Sequence, residues 1–143
     1  MNIHQISVFL ENRVGQLAEI TELLAESGIN LRAISIAETA DYGLARLIVD
    51  DYKKASDILA NHGDMLSVTK VWAVAVPDEP AGLANLLKVL AENHVDVAYM
   101  YSLFTHGSGC AYMVLRVSDE AAFLAAAKGS GIRLVDGDEL GVK

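Results

Sequence analysis

The sequence predicts an α+β protein built from two tandem copies of one β-α-β-β-α-β unit. Its 143 residues are 52% apolar, which is enough to form a buried core. Apolar residues alternate in some segments and recur every three or four positions in others, as strands and helices require. One constant shift aligns the two halves without a gap through most of their length, as these pairs show: Val8 with Val74, Leu17 with Leu83, Gly43 with Gly109, Ala55 with Ala121, and Gly63 with Gly129.

The first unit is predicted to start with a strand at 3–10, where Ile6 and Val8 alternate with polar residues. A glycine turn leads into a helix at 17–27, which Gly28 ends. The remaining predicted elements are strands at 31–38 and 44–49, joined by a hairpin turn at 40–43, a helix begun by Asp50 or Asp51, and a strand at 66–71.

The second unit is predicted to repeat this order. Its elements are a strand that ends at Val76, a helix at 83–93, strands at 96–105 and 109–117, a helix at 119–128, and a short strand at 132–135. This order is that of the ferredoxin-like sandwich, in which two helices cover one face of an antiparallel sheet. We expect a first domain at 1–70 and a second at 71–143. Because 67–76 contains neither Pro nor Gly, one continuous strand is predicted to join them.

Several apolar residues are predicted to lie on the sheet face that the helices leave open: Phe9, Leu44, Ile48 and Tyr112. An apolar face of a sheet is usually covered by another sheet or by a partner. The sequence therefore predicts that the two units pack as a pseudo-dimer, or that the chain forms a homodimer.

Composition and charge exclude several classes of function. The net charge is −8, so the surface repels nucleic acid, and the apolar runs are too short to cross a membrane. The single cysteine, Cys110, fits a reducing cytoplasm. No phosphate loop or nucleophile elbow is present, and the histidines lack metal-site spacing. We therefore predict no nucleic-acid or membrane partner, no catalytic residue, no metal and no cofactor.

The turn between the first strand and the first helix has features of a small-molecule site. Backbone N–H groups at a helix start lack intrahelical partners and favour a carboxylate. Gly15 permits a sharp turn there. The side-chain amides of Asn12 and Asn30 can both donate and accept hydrogen bonds, which suits the two charged ends of an amino acid. The alternative is that both asparagines are present only because Asn favours turns.

These residues resemble the signature of the ACT domain family. Its members typically show Asn-Arg-Pro-Gly-x-Leu after the first strand and Gly-x-Asn-Ile at the start of the second. This chain has Asn-Arg-Val-Gly-Gln-Leu at 12–17, with Val14 in the proline position, and Gly-Ile-Asn-Leu at 28–31. The resemblance covers essentially the whole chain as two tandem copies. It implies a regulatory module that binds a small ligand, often an amino acid, at the edge between two domains.

The resemblance also implies which residues bind the ligand. In the first unit they are Asn12, Arg13, Val14, Gly15, Gln16 and Leu17 in the turn, with Asn30 and Leu31 as the opposite wall. In the second unit the two asparagines become aspartates, which suit an ammonium or a cation better than a carboxylate. That unit is therefore expected to bind a different ligand, to use Asp78 and Asp96 for the ammonium end of the ligand, or to bind nothing. Its candidate residues are Asp78, Pro80, Ala81, Gly82, Leu83, Asp96 and Val97.

Two other functions remain open at the level of sequence. Acylphosphatases are ferredoxin-like enzymes with an arginine in the turn after the first strand, where this chain has Arg13, but their longer phosphate-binding turn is missing here. A ligand-free dimerisation or adaptor module is the other alternative. The sequence therefore predicts a non-catalytic regulator that binds an amino acid. It is expected to act on an enzyme of amino-acid metabolism or through its own assembly.

Overall fold

A computed structural model of the chain describes residues 2–11, 13–38 and 41–143. The residues form two compact units. One contains 4–70 together with 141–143, and the other contains 71–140 together with Asn2 and Ile3. Each unit is an antiparallel sheet with two long helices, which confirms the predicted α+β class of two ferredoxin-like sandwiches.

The first unit follows the predicted order of elements: β1 (Ile3–Leu10), α1 (Gln16–Glu26), β2 (Leu31–Glu38), β3 (Gly43–Val49), α2 (Tyr52–Asn61) and β4 (Leu66–Pro77). Its strands neighbour one another in the order β2-β3-β1-β4. Asp51 caps α2, because its side chain accepts a hydrogen bond from the backbone N–H of Lys54. The buried core between the sheet and its helices consists of Ile6, Val8, Ile20, Leu24, Ile29, Ala45, Leu47, Val49, Ala55 and Leu59.

The second unit uses the last part of β4 as its first strand and adds α3 (Gly82–Glu92), β5 (Val97–Gly107), β6 (Cys110–Val117), α4 (Glu120–Ser130), β7 (Arg133–Leu134) and α5 (Gly137–Leu140). Here β4 pairs with both β6 and β7, and β6 pairs with β5. The core again lies under the two long helices: Trp72, Val74, Val76, Leu86, Leu90, Val95, Leu115, Val117, Phe123 and Ala126. As the sequence predicted, β4 is one uninterrupted strand of 12 residues.

The gap-free alignment of the two halves is wrong from the third strand onward. Ile6 lies opposite Leu47 in the first unit, and Trp72 lies opposite Leu115 in the second. The offset that carries β3 onto β6 is therefore two positions longer than the offset that carries β1 onto β4. Two extra residues in the β5–β6 hairpin, whose pairing is irregular between Ser102 and His106, account for the change. The predicted pairs Gly43–Gly109, Ala55–Ala121 and Gly63–Gly129 are therefore displaced by two positions.

The C-terminal part of the second unit also differs from the prediction. The strand predicted at 132–135 is reduced to the two residues of β7, and the short helix α5 follows it.

On the open face of the sheets, Ile48 and Tyr112 are buried, whereas Phe9 is exposed. The predicted hairpin turn at 40–43 includes Ala40, which lies outside the described residues, and Gly43 already belongs to β3.

Gly82, the first residue of α3, is required for a steric reason. A Cβ atom at this position would lie 2.0 Å from the carbonyl oxygen of Pro77, a separation that real side chains do not adopt. The oxygen belongs to backbone at the end of β4, so it cannot move aside without disturbing the strand. The start of α3 is therefore packed directly against β4.

We predict that Gly82→Ala destabilises the protein by more than about 1 kcal/mol, because the added methyl group overlaps this carbonyl. Urea unfolding followed by circular dichroism measures the effect. Gly129→Ala in α4 is the matched control, since no atom lies within 4 Å of its added Cβ. That change should raise stability by roughly 0.5–1 kcal/mol, as Gly→Ala does in helices. Equal effects of the two substitutions would contradict the steric argument.

Candidate functional site

The first turn places Gly15 at the N-cap of α1, where its φ of 88° lies in the left-handed region that favours glycine. As a glycine, this N-cap residue has no side chain with which to cap the N–H groups at the start of α1. These groups carry the partial positive charge of the helix N-terminus. The turn therefore presents donors suited to an anionic group. Asn12, the predicted ligand residue next to Arg13, lies outside the described residues.

The same turn is closed by its own hydrogen bonds. The backbone N–H of Glu11 donates to Oε1 of Gln16 across 2.6 Å, and the N–H of Arg13 donates to the carbonyl of Glu11 across 2.8 Å. Gln16 is buried, so its side chain holds the turn from inside. Val14 is fully exposed at the tip. Gln16 therefore supports the turn from the protein side, whereas Val14 faces solvent.

A groove of about 370 Å³ runs beside this turn. Leu10 and Ile36 give it an apolar floor, and its rim carries one cation, Arg13, and two carboxylates, Glu11 and Glu38. Charges of both signs over an apolar floor suit a small zwitterion whose side chain is apolar. The prediction from sequence included Arg13 and Val14 in this groove. It missed Ile36 and Glu38, which are distant in sequence and reach the groove only through strand pairing.

Asn30 and Leu31 do not reach this groove within the unit. Leu10 lies opposite Gly43 in the sheet, and Glu38 lies opposite the same glycine on its other side. Leu31 lies opposite Val49, at the far end of β3. Asn30 is exposed there, and its backbone N–H donates to Oδ1 of Asp50. The structure thus separates the two predicted walls by the length of a strand.

A chain of ion pairs fixes Arg13 to the rest of the first unit. Nη1 of Arg13 lies 3.0 Å from Oε2 of Glu19 on α1, and Oε1 of Glu19 lies 3.3 Å from Nε2 of His62. Nδ1 of His62 in turn lies 2.9 Å from Oδ2 of Asp64. We call Arg13, Glu19, His62 and Asp64 the clasp. Each nitrogen of the His62 ring faces a carboxylate, so only the doubly protonated ring can donate to both.

The clasp shifts the pKa values of two of its members, Glu19 and His62. The hydrogen bond from Arg13 is the main cause that lowers the pKa of Glu19. The hydrogen bond with Asp64 is the main cause that raises the pKa of His62, and the charges of Asp64 and Glu19 add to it. Burial and the charge of Arg13 oppose this rise. The clasp therefore favours the charged form of both groups.

The second turn is held in place by backbone hydrogen bonds. The N–H of Asp78 donates to the carbonyl of Gly109 in the β5–β6 hairpin, and the N–H of Gly82 donates to the carbonyl of Glu79. Gly82 is buried, while the other predicted turn residues of this unit are exposed: Asp78, Pro80, Ala81 and Leu83. Asp96 and Val97 lie at the opposite end of the sheet, where Asp96 accepts hydrogen bonds from Ser118. Backbone hydrogen bonds therefore hold the second turn against the β5–β6 hairpin.

The described residues contain no group of three or more potential metal-ligating side chains. Among the same residues, no helix has both the length and the apolar character needed to cross a membrane.

Comparison with known proteins assigns the family. The family model for an ACT domain pair matches residues 1–125, so this chain belongs to the ACT domain family, whose domains are regulatory. A protein of Bacteroides thetaiotaomicron with a known crystal structure is 36% identical, with a TM-score of 0.90 over 99% of this chain and 96% of that one. No curated protein matches by sequence.

More distant structures share the fold. The ligand-free regulatory subunit of aspartate kinase from Thermus thermophilus has a TM-score of 0.60 at 17% identity, over 89% of this chain and 91% of that one. The corresponding subunit from Thermus flavus has a TM-score of 0.59 at 18% identity, over 90% and 92%. At this level of identity, the two structures support the fold alone.

We predict that His62 makes stability depend on pH. Because its pKa is raised in the folded state, its contribution is complete below about pH 6.5 and is lost as pH rises through the folded pKa. The difference in urea midpoint between the wild type and His62→Gln should therefore be larger at pH 5.5 than at pH 8.5. Comparison with the variant is needed because His4, whose pKa is lowered mainly by burial, has the opposite pH dependence. A difference that is constant with pH would contradict the role of His62 in the clasp.

Proposed function

We propose that the protein is a non-catalytic regulatory module that binds an amino acid in the groove beside the first turn. The groove carries the proposal, because it combines Arg13 for a carboxylate, Glu38 for an ammonium group, and an apolar floor for a side chain. The partial positive charge of the N–H groups at the start of α1 adds a second attraction for the carboxylate. Membership of a family of regulatory domains supports this function.

Leu10 and Ile36 favour amino acids with apolar side chains over charged ones. A buried charge without a partner would lower the affinity for acidic or basic side chains. Within one unit, Asn30 lies too far from the groove to contribute, so the predicted role for it requires a neighbouring domain, which a second copy of the chain can supply. The strands β2 and β5 are edge strands of their units, and such edges can pair with another copy. A homodimer therefore remains part of the proposal.

A regulator also needs an output. We propose that ligand binding alters either the contact with an enzyme of amino-acid metabolism or the assembly of the protein itself. The clasp connects the groove to this output, because Arg13 is tied through Glu19 to the end of α2. A ligand that draws the guanidinium of Arg13 away from Glu19 would release this connection.

The acylphosphatase alternative has less support. The longer phosphate-binding turn of acylphosphatases is missing after β1, and the chain matches a family of regulatory domains. Carboxylates around the groove would repel an acyl phosphate.

We predict that at least one apolar amino acid among the twenty raises the melting temperature, because a ligand that binds only the folded state stabilises it. Arg13→Gln and Glu38→Gln should each weaken the binding of that amino acid about tenfold or more, since each removes a charge-assisted hydrogen bond. Isothermal titration calorimetry measures the affinity.

Arg116→Gln serves as the matched control, because Arg116 is a half-buried arginine of the second unit that pairs with Glu120. It should leave the affinity unchanged. If no amino acid stabilises the protein, the proposed function is wrong. If one binds equally well to both groove variants, the function survives but the groove is not its site. Asn30→Ala should weaken binding only if a second copy contributes to the site.

A further inference from the structure

A pocket of about 420 Å³ lies within the second unit, between the start of α3, the end of β4 and the connection from α4 to β7. This volume falls in the range of about 300–1,000 Å³ that is typical of small-molecule sites. The pocket lies beside the second turn, but of the turn residues predicted from the sequence it includes Gly82 alone among those described. It is therefore a different place from the site that the family resemblance implied.

The two repeats show why the pocket exists. The offset between β1 and β4 relates α1 to α3, and the longer offset between β3 and β6 relates the segment after α2 to the segment after α4. With these offsets, three positions of the clasp in the first unit correspond to lining positions here. In the first unit, ion pairs across these positions join α1 to the end of α2. In the second unit the side chains are uncharged, and most are smaller: Asn85 replaces Glu19, Ser130 replaces His62, Ile132 replaces Asp64, Gly82 replaces Gln16, and Val89 replaces Leu23.

The walls of the pocket are held by backbone contacts. The N–H of Asp78 donates to the carbonyl of Gly109, which fixes the hairpin beside the pocket. The N–H of Val135 donates to the carbonyl of Ala73, which fixes β7 to β4. Gly82 packs against Pro77 with no room for a side chain. These contacts keep the pocket open before a ligand arrives, which lowers the entropy cost of binding.

The chemistry of the lining is apolar with one cation. Val76, Leu86, Val89 and Ile132 supply aliphatic surface. Arg133 is the one charged residue among the described residues that line the pocket. Its Nη2 lies 2.8 Å from both carboxylate oxygens of Glu139, so this pair engages one of the three guanidinium nitrogens.

Arg133 is also held in position. Glu139, its partner, accepts a second hydrogen bond from the hydroxyl of Tyr112, a buried residue of β6. A guanidinium fixed by one ion pair can still present its remaining donors to a second carboxylate in a planar arrangement. The described lining contains no Asp or Glu, in contrast to the first groove with Glu11 and Glu38. Glu139, the carboxylate that contacts Arg133, already accepts hydrogen bonds from Arg133 and Tyr112, so an ammonium group in this pocket would lose water without gaining a free carboxylate partner.

We propose that this pocket binds a short aliphatic monocarboxylate that lacks an ammonium group. The carboxylate pairs with Arg133 at the mouth, and the aliphatic body lies against the side chains of α3 and of the segment before β7. The proposal concerns a second site, and it does not depend on amino-acid binding in the first groove. The two repeats thus carry sites for chemically related ligands that differ in one charged group.

Isocaproate and L-leucine test this proposal, because leucine has the same carbon skeleton with an added ammonium group. Binding is measured by titration of the ¹⁵N-labelled full chain, followed through backbone amide shifts of α3 and β7. Isocaproate should shift these amides and bind about tenfold or more tightly than leucine does at this site. Val89→Phe, which fills the pocket, should abolish the shifts. Leu87→Phe is the matched control, because Leu87 is an exposed residue on the same helix outside the pocket.

Arg133→Gln provides a second variant in case Val89→Phe disturbs folding, and it should weaken isocaproate binding about tenfold or more. Arg13→Gln in the first groove should leave isocaproate binding unchanged. The site is wrong if isocaproate shifts no amide of α3 or β7, or if Arg133→Gln binds it like the wild type. The ligand class is wrong if leucine binds at these amides as tightly as isocaproate. Each of these outcomes can be interpreted even if no amino acid binds in the first groove.

Discussion

The register between the central strand and its neighbours decides which residues of each unit can form a site. In the first unit, Leu10 and Glu38 both lie opposite Gly43, so the turn after β1 meets the end of β2. An antiparallel sheet separates the two ends of a strand by its full length, about 3.3 Å for each residue. Asn30, at the start of β2, is therefore at the opposite end from the turn. A site at the turn must draw its second wall from Glu38 and Ile36, or from another copy of the chain.

The two units arrange their cores in the same way and differ in how the space between their two long helices is filled. Both cores are formed by apolar residues on alternate strand positions under two helices. Between the start of the first helix and the end of the second helix, the first unit has Glu19 and His62 in an ion pair, and the second unit has a pocket. In the first unit, the charged side chains fill the space between the two helices and meet through short contacts. In the second unit, Asn85 and Ser130 take the positions of Glu19 and His62, and these shorter side chains leave space that solvent or a ligand must fill.

Most of the fold could be predicted from the sequence because its determinants are local. Alternation in β1 and the helical spacing of Leu17 to Leu24 follow from the chain itself, and the repeat supported each assignment in the other copy. The hairpin insertion was missed because low identity allows a gap-free alignment, and only the pairing of Leu47 and Leu115 with their neighbours reveals the change. The short helix α5 lacks a periodic signal, since it has only four residues.

The candidate site was less predictable than the fold. The turn with Arg13 carried a recognisable pattern, but Glu38 and His62 reach it only through tertiary structure. No spacing rule connects residues on different strands and helices, so the partners of Arg13 could not be read from the sequence. The same holds for the pocket of the second unit, where the informative signal is the absence of large side chains. Such a signal becomes visible only when structurally equivalent positions of the two copies are compared.

The contact between Gly82 and Pro77 also means that the first helices of the two units cannot replace each other equally well. A first-unit segment transplanted into the second unit would bring Gln16 to the place of Gly82, where its Cβ has no room beside the carbonyl of Pro77. The reverse transplant meets no such overlap, although it would lose the hydrogen bond that Gln16 accepts from Glu11 and the ion pairs of Glu19. Exchange of the two helix starts is therefore unequal, because backbone overlap arises only when a side chain is placed at position 82.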